Sequence, residues 1–267
     1  MDMVKIVNES VSRFILGSNP FSGYSHQGRA MDSRMRHFFT VERIKETLRR
    51  AETLGINTII GRTDHHVMRT LMEYWDQGGK LQWFAQTCPG VGPTSMCVKR
   101  AMDAGAKACH IHGGVMDYLV AQDQVSEAIE AVQMVHDAGM PAGIAGHSTK
   151  VFEWAEEHLD VDYYMCCYYN PSRRDENPEH DPLKEESYSE QDRRAMLTLI
   201  PKLSKPVIHY KVLAAGRNNP AEAFAQVARN LRANDAVCVG IYTEKISNML
   251  EWDVEMFEQA LAAVPVK

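Results

Sequence analysis

The stretch that decides the fold is Lys107-Ala-Cys-His-Ile-His-Gly-Gly-Val115. It predicts a short β-strand that ends at two glycines, whose backbone can turn abruptly because they lack a Cβ atom. Side chains alternate faces along a strand, so His110 and His112 project to the same side. Because burying two imidazoles without a use is costly, we expect them to serve a functional site at the end of this strand.

The same unit, an apolar strand followed by a helix, recurs along the whole chain. The predicted strands cover residues 13–20, 56–60, 81–87, 106–112, 141–147, 161–168, 205–211 and 236–242. The predicted helices cover residues 40–54, 67–75, 94–104, 124–138, 149–157, 190–200, 221–232 and 245–263. Strands that alternate with helices indicate an α/β fold with a parallel sheet, and eight such units indicate a closed (β/α)8 TIM barrel. We expect one domain over residues 1–267, with a long loop at about 171–189 over the strand ends.

Composition and charge limit the class of partner. The chain has 267 residues and a formal net charge of −6, and it has no long basic run, so we expect no nucleic acid partner. No apolar stretch is long enough to span a membrane, and the amino terminus has no signal-peptide pattern. Six scattered cysteines are typical of reduced, buried thiols, so we expect a cytoplasmic protein with a small-molecule substrate. The sequence leaves the oligomeric state open.

Polar side chains gather where the predicted strands end, and barrel active sites lie at the carboxyl ends of the strands. Histidines close four of these strands, and neutral imidazoles beside a carboxylate suit Zn²⁺, Mn²⁺, Fe²⁺ or Co²⁺. The predicted metal ligands are His66, His110, His147 and His209. A metal-free site stays open as the alternative, with His112 as the acid/base or carbonyl-polarising group.

Other strand-end residues complete the predicted site. The catalytic residues would be His112, Asp64 and Lys211, because a lysine in a barrel mouth can act as a base or nucleophile, or can pair with a substrate anion. Arg62 would clamp a substrate anion, or else pair with Asp64 or Asp117. The predicted substrate contacts are Asn19, Arg62, Gln86, Asp117, Tyr168 and Asn170.

Several segments resemble the aldo-keto reductase superfamily. They are Gly55-Ile-Asn-Thr58, the run from Gly143-Ile-Ala-Gly-His147 to Glu156, Asn170-Pro171, Ile208-His-Tyr-Lys-Val-Leu-Ala-Ala-Gly216 and Val239-Gly-Ile-Tyr-Thr-Glu-Lys-Ile-Ser-Asn248. The resemblance covers most of the predicted barrel. It implies a (β/α)8 barrel that reduces carbonyls with NADP and a tetrad of Asp, Tyr, Lys and His.

Only the histidine of that tetrad has a counterpart, at His112. The aspartate should fall near Ile60 or Gly61, where no Tyr follows, and the lysine is replaced around Gln86. The basic residues that usually hold the NADP phosphate after the last strand are not evident either. We therefore expect a divergent, non-redox lyase, isomerase or hydrolase for a small polar carbonyl or sugar-like substrate, with NADP not expected. The alternative is a divergent NADP-dependent oxidoreductase of the aldo-keto reductase type.

Overall fold

The computed structural model describes residues 1–179 and 186–264. Eight parallel strands close into a barrel, in the order β10-β3-β4-β5-β6-β7-β8-β9, which confirms the predicted fold. These strands are β3 (Phe14–Gly17), β4 (Thr58–Arg62), β5 (Gln82–Gln86), β6 (Ala108–Ile111), β7 (Ala142–Gly146), β8 (Tyr163–Cys167), β9 (Val207–Tyr210) and β10 (Ala236–Gly240). Each lies within or overlaps the corresponding predicted strand.

Alternation along the strands separates two hydrophobic layers. One set of residues, which includes Ile60, Phe84 and Ile208, points into the barrel and packs there. The other set, which includes Ile59 and Val207, points outward against the helices. A side chain's position in the strand therefore decides whether it can reach the barrel mouth.

A short antiparallel hairpin precedes the barrel and was not predicted from the sequence. It consists of β1 (Met3–Ile6) and β2 (Glu9–Ser12), and Val4, Ile6 and Val11 pack against the residues inside the barrel. Since the hairpin leads directly into β3, it covers the amino-terminal end of the strands. The candidate site must therefore open at the other end.

Helices surround the barrel: α2 (Val41–Thr53), α3 (His65–Asp76), α4 (Thr94–Asp103), α6 (Val125–Asp137), α7 (Thr149–His158), α8 (Glu190–Leu199), α9 (Pro220–Asn230) and α10 (Met249–Ala262) match the predicted helices. The Thr40 hydroxyl caps α2 by accepting a hydrogen bond from the Arg43 backbone N–H at 3.3 Å. Two further helices were not predicted, α1 (Arg29–Phe38) and α5 (Gly113–Ala121).

The expected abrupt turn at Gly113 and Gly114 is wrong, because these two glycines form the first turn of α5. The two glycines have a steric role instead, because a side chain at either position would crowd its neighbours. A Cβ atom on Gly113 would lie 3.0 Å from the His147 ring and 3.1 Å from the Tyr210 hydroxyl. The glycine pair therefore lets helix α5 start directly against the barrel mouth.

The loop expected at about 171–189 is only partly described. Its central residues, 180–185, lie outside the described part of the chain. On the near side, Arg174 and Glu179 line the cavity at the strand ends, and on the far side Glu186 approaches His26.

Candidate active site

A cavity of about 750 Å³ lies at the carboxyl end of the barrel strands. That volume is in the range of small-molecule and cofactor sites. Six of the residues proposed from the sequence line it: Asn19, Arg62, Gln86, His112, His147 and Lys211. Five of them, all except Asn19, lie at the end of a strand or one residue beyond it, and they come together because their strands converge at the barrel mouth.

His112 has a fixed hydrogen-bonding state. It caps helix α5, and its Nδ1 accepts a hydrogen bond from the Gly114 backbone N–H at 3.1 Å. Burial, followed by the charges of His147, Arg174, Arg62 and Lys211, lowers the His112 pKa well below its usual value. The ring is therefore neutral near pH 7, with its proton on Nε2. His112 can donate a hydrogen bond from Nε2 to a ligand oxygen in the cavity.

His147 is held by a buried carboxylate. Its Nδ1 donates to Asp117 Oδ2 at 2.6 Å, and the backbone N–H groups of His147 and Ser148 donate to Asp117 Oδ1, each at 3.0 Å. Burial lowers the His147 pKa, and the charge of Asp117 opposes this shift. Because Nδ1 carries the proton, the neutral ring presents the lone pair of Nε2, which lies 3.4 Å from the Tyr210 hydroxyl.

Arg62 lies on the cavity wall in a cluster of polar groups. Its guanidinium stacks on the Tyr24 ring at 4.3 Å and forms an ion pair with Asp64 Oδ2 at 3.3 Å. It also contacts the Cys88 thiol. Asp64 itself caps helix α3 by accepting from the Val67 N–H at 2.9 Å. Asp64 thus positions both helix α3 and the Arg62 guanidinium. Tyr24 adds its phenol to the cavity lining.

Lys211 follows β9 in an unusual backbone conformation. Its φ of 55° lies in the left-handed region, as do those of Ala214 and Ala215 nearby. Such conformations are uncommon for residues with a Cβ atom and often mark functional segments. The bend leaves the half-buried Lys211 side chain on the cavity wall, where it adds positive charge beside His112 and His147.

Some proposed residues lie away from the cavity lining. Asp117 lies behind His147, and Tyr168 points outward between the barrel and the helices, where its hydroxyl pairs with His209 Nδ1 at 3.0 Å. The Asn170 N–H donates to Asp192 at 3.2 Å. His66 is exposed in the first turn of α3.

His110 lies inside the barrel, below the cavity. Its Nδ1 is 3.2 Å from the Tyr163 hydroxyl, and its Nε2 has no hydrogen-bond partner among the described residues. Burial lowers the His110 pKa to about 3, so the ring is neutral. His209 faces the opposite way, with Nε2 3.3 Å from Asp235 Oδ2.

The prediction of a divalent metal is wrong. Within residues 1–179 and 186–264, no three His, Cys, Asp or Glu side chains form a group that could hold a metal ion. The alternation of side chains explains the failure. His110 points into the barrel below the cavity, His209 points outward, and His66 lies on a helix, so only His147 of the four proposed ligands lines the cavity.

Sequence reasoning missed Tyr210 and Tyr24, both of which line the cavity. Tyr210 could have been found, because it alternates with Ile208 along β9 and both side chains point inward. Tyr24 carries no comparable signal. It lies in the loop after β3, beyond any strand periodicity.

Comparison with known proteins bears on the fold. No family model and no curated protein sequence matches the chain. A structure from Pseudomonas aeruginosa named as an aldo-keto reductase has 18% sequence identity and a TM-score of 0.64, with 98% of this chain and 94% of that chain covered. The chain therefore shares the (β/α)8 barrel fold of this aldo-keto reductase.

Two further solved structures agree. The holo form of an aldo-keto reductase from Bacillus halodurans has 14% identity and a TM-score of 0.58, covering all of this chain and 92% of that one. A glycerol dehydrogenase from Gluconobacter oxydans has 11% identity and a TM-score of 0.57, covering all of this chain and 98% of that one.

These comparisons correct two expectations. The expected non-redox lyase, isomerase or hydrolase is contradicted, because the three structures named above are two aldo-keto reductases and a glycerol dehydrogenase. The expectation that the protein uses no nicotinamide cofactor is contradicted as well, since hydride exchange by such enzymes relies on a redox cofactor. The absent tetrad residues misled the sequence interpretation, because other polar groups stand in the same cavity. None of the helices in the described chain is both long and apolar enough to cross a membrane.

Proposed function

We propose that this protein is an oxidoreductase that interconverts a small polar carbonyl compound and its alcohol with a nicotinamide dinucleotide. The observation that carries the proposal is the state of His112. Its Nδ1 is occupied by the Gly114 N–H, so a neutral Nε2–H donor is available to a carbonyl oxygen in the cavity. A preorganised donor of this kind stabilises the negative charge that grows on the oxygen as hydride arrives.

The charges of the cavity support the same reaction. Arg62 and Lys211 line the wall together with His112, and both cations favour a developing alkoxide. Asp64 and the Tyr24 ring hold the Arg62 guanidinium in place. Stabilisation of an oxyanion in a partly buried site requires this fixed arrangement of positive groups, because flexible groups would first have to reorganise.

The residues present also fit a dinucleotide. When bound, a reduced nicotinamide supplies the hydride for carbonyl reduction. Its phosphates require cations, and exposed Arg29 and Arg36 of helix α1 line the same cavity as Lys211. These side chains would hold the phosphates, since guanidinium groups bind phosphate oxygens in pairs.

A carbonyl substrate fits the polar lining at Asn19 and Gln86. Both amides can donate to and accept from hydroxyl groups, which favours a polyol or hydroxy-carbonyl compound over an apolar aldehyde. All six cysteines are free and buried, and this agrees with a reducing compartment such as the cytoplasm.

The test is nicotinamide-dependent turnover by purified protein. NADPH and NADH oxidation is followed by absorbance with glyceraldehyde, dihydroxyacetone and xylose as substrates, and dinucleotide binding is followed by fluorescence. We expect turnover by the wild type and a loss of kcat of about 10²–10³-fold in His112→Ala, the range for removing one oxyanion donor. His158→Ala is the matched control, because this exposed histidine hydrogen-bonds the Trp154 carbonyl of its own helix and stacks on the Trp154 ring, away from the cavity lining. Absence of both binding and turnover in the wild type would refute the proposal.

A further inference from the structure

Hydride transfer leaves a proton to be placed on, or removed from, the substrate oxygen. His112 is a poor source of that proton. Its Nδ1 is committed to Gly114, and burial keeps its pKa well below the usual value. The acid–base group must therefore be another side chain at the cavity.

Tyr210 is placed to be that group. It follows Ile208 by two positions on β9, so its side chain points inward, and it lines the cavity. Its hydroxyl lies 3.4 Å from His147 Nε2 and 3.4 Å from the Gly146 carbonyl oxygen. The hydroxyl thus lies at the cavity, next to an imidazole that also lines it.

The imidazole is oriented from behind. Asp117 is buried, and its carboxylate accepts the Nδ1 proton of His147 at 2.6 Å as well as two backbone N–H groups. These three donors fix the carboxylate, which in turn fixes the ring and its tautomer. A carboxylate, an imidazole and a hydroxyl in sequence form the arrangement that moves protons in hydrolytic triads.

Gly113 makes room for this arrangement. A Cβ atom at that position would lie 3.0 Å from the His147 ring, 3.1 Å from the Tyr210 hydroxyl and 3.3 Å from the Gly146 backbone nitrogen. Even alanine would therefore press on both partners of the long hydrogen bond. The close approach of α5 brings the helix that carries Asp117 to the strand that precedes His147.

We propose that Tyr210 exchanges the proton with the substrate oxygen and that His147 and Asp117 serve it as a relay. This inference rests on the proposed oxidoreductase function. In alcohol oxidation the substrate O–H bond breaks and its proton passes to Tyr210 Oη, while the Tyr210 proton moves to His147 Nε2. The hydride on the carbon that bears this oxygen would pass to an oxidised nicotinamide bound in the cavity. Asp117 stabilises the imidazolium that forms at His147. Carbonyl reduction reverses every step.

The experiment compares Tyr210→Phe with Tyr163→Phe in the full chain. Tyr163 is the matched control, since its hydroxyl also pairs with a histidine, His110, but inside the barrel below the cavity. Kinetics are measured with NADP⁺ or NAD⁺ and glycerol, and with NADPH or NADH and glyceraldehyde. We expect Tyr210→Phe to lower kcat by about 10²–10⁴-fold, the usual share of general acid–base catalysis, with KM and dinucleotide binding almost unchanged. Tyr163→Phe should keep its kcat.

A second variant tests the relay itself. Asp117→Asn should lower kcat and shift the acidic limb of the kcat–pH profile for alcohol oxidation, because His147 loses the carboxylate that favours its protonated form. Thermal melting checks that each variant folds. If the wild type turns over and Tyr210→Phe keeps its kcat, or if Asp117→Asn leaves the pH profile unchanged, the relay is refuted while the proposed function stands. A wild type without nicotinamide-dependent turnover refutes both.

Discussion

At the scale of single residues, the strand face on which a histidine lies decides whether it reaches the cavity. His112 and His147 reach the cavity, His110 points into the barrel below it, and His209 lies outside the barrel wall. The sequence contains this information, because side-chain direction alternates along each strand. The sequence does not show which face the last few residues of a strand take, because that depends on where the extended backbone ends. His209 and Tyr210 are neighbours, and only the second faces the site.

Buried neutral histidines make the stability of the protein depend on pH. Burial lowers the His110 pKa to about 3 and also lowers those of His112 and His147. An unfolded histidine gains a proton below about pH 6.5, whereas these folded ones resist it, so their stabilising effect is present above that pH and is lost as the pH falls. Burial raises the Asp253 pKa to about 7, and this carboxyl opposes the trend.

Comparison of variants isolates one histidine. Between pH 7.5 and pH 5.5, the free energy of unfolding should fall by about 1.4 kcal/mol more in the wild type than in His110→Gln, since one pH unit below the unfolded pKa costs that much per proton. Urea denaturation at the two pH values measures the difference. Equal losses in both proteins would mean that His110 takes up its proton in the folded state.

At the scale of elements, the strands and most helices were predictable, because apolar periodicity and breakers mark them. The Thr40 cap of α2 is an example that the structure confirms. Helix α5 was hidden, because its Gly113-Gly114 start has the sequence signature of a turn, and glycine is unfavourable within helices. Its start is stabilised by contact with the barrel mouth, which no local pattern reveals.

The hairpin of β1 and β2 is another element that the sequence did not reveal. Ile6 is fully buried where the hairpin meets the barrel interior. Ile6→Ala should lower the free energy of unfolding by about 2–5 kcal/mol, the usual cost of this truncation in a packed core. Met3→Ala, at an exposed site on the same strand, should change it by less than about 0.5 kcal/mol. Chemical denaturation compares the two, and a small loss for Ile6→Ala would show that the hairpin is only loosely seated.

At the scale of the whole molecule, the barrel gathers side chains that are distant in sequence. Arg62, His112, His147 and Tyr210 come from four strand ends and meet at one cavity. The resemblance in sequence lay in framework segments, and it did not indicate which polar groups occupy the cavity in place of the missing tetrad residues. The identity of these polar groups could not be predicted, because any of several strands or loops can place a polar side chain in the cavity.

The molecule should not depend on a divalent ion. No group of three metal-binding side chains is found in the part of the chain that the structure describes. We therefore expect dialysis against EDTA to leave nicotinamide-dependent turnover and the melting temperature unchanged. Elemental analysis of the dialysed protein serves as the control for complete removal. Loss of activity on dialysis, restored by one added metal, would contradict this expectation.

The hairpin at the foot of the barrel also has a kinetic consequence. Because Val4, Ile6 and Val11 fill that end, solutes reach the cavity from the opposite end. Two reactants that share one entrance must enter the cavity one after the other. Whichever lies deeper has to arrive first and depart last, so the initial-rate patterns should follow a compulsory order of addition, with the last product to leave acting as a competitive inhibitor of the first reactant to bind.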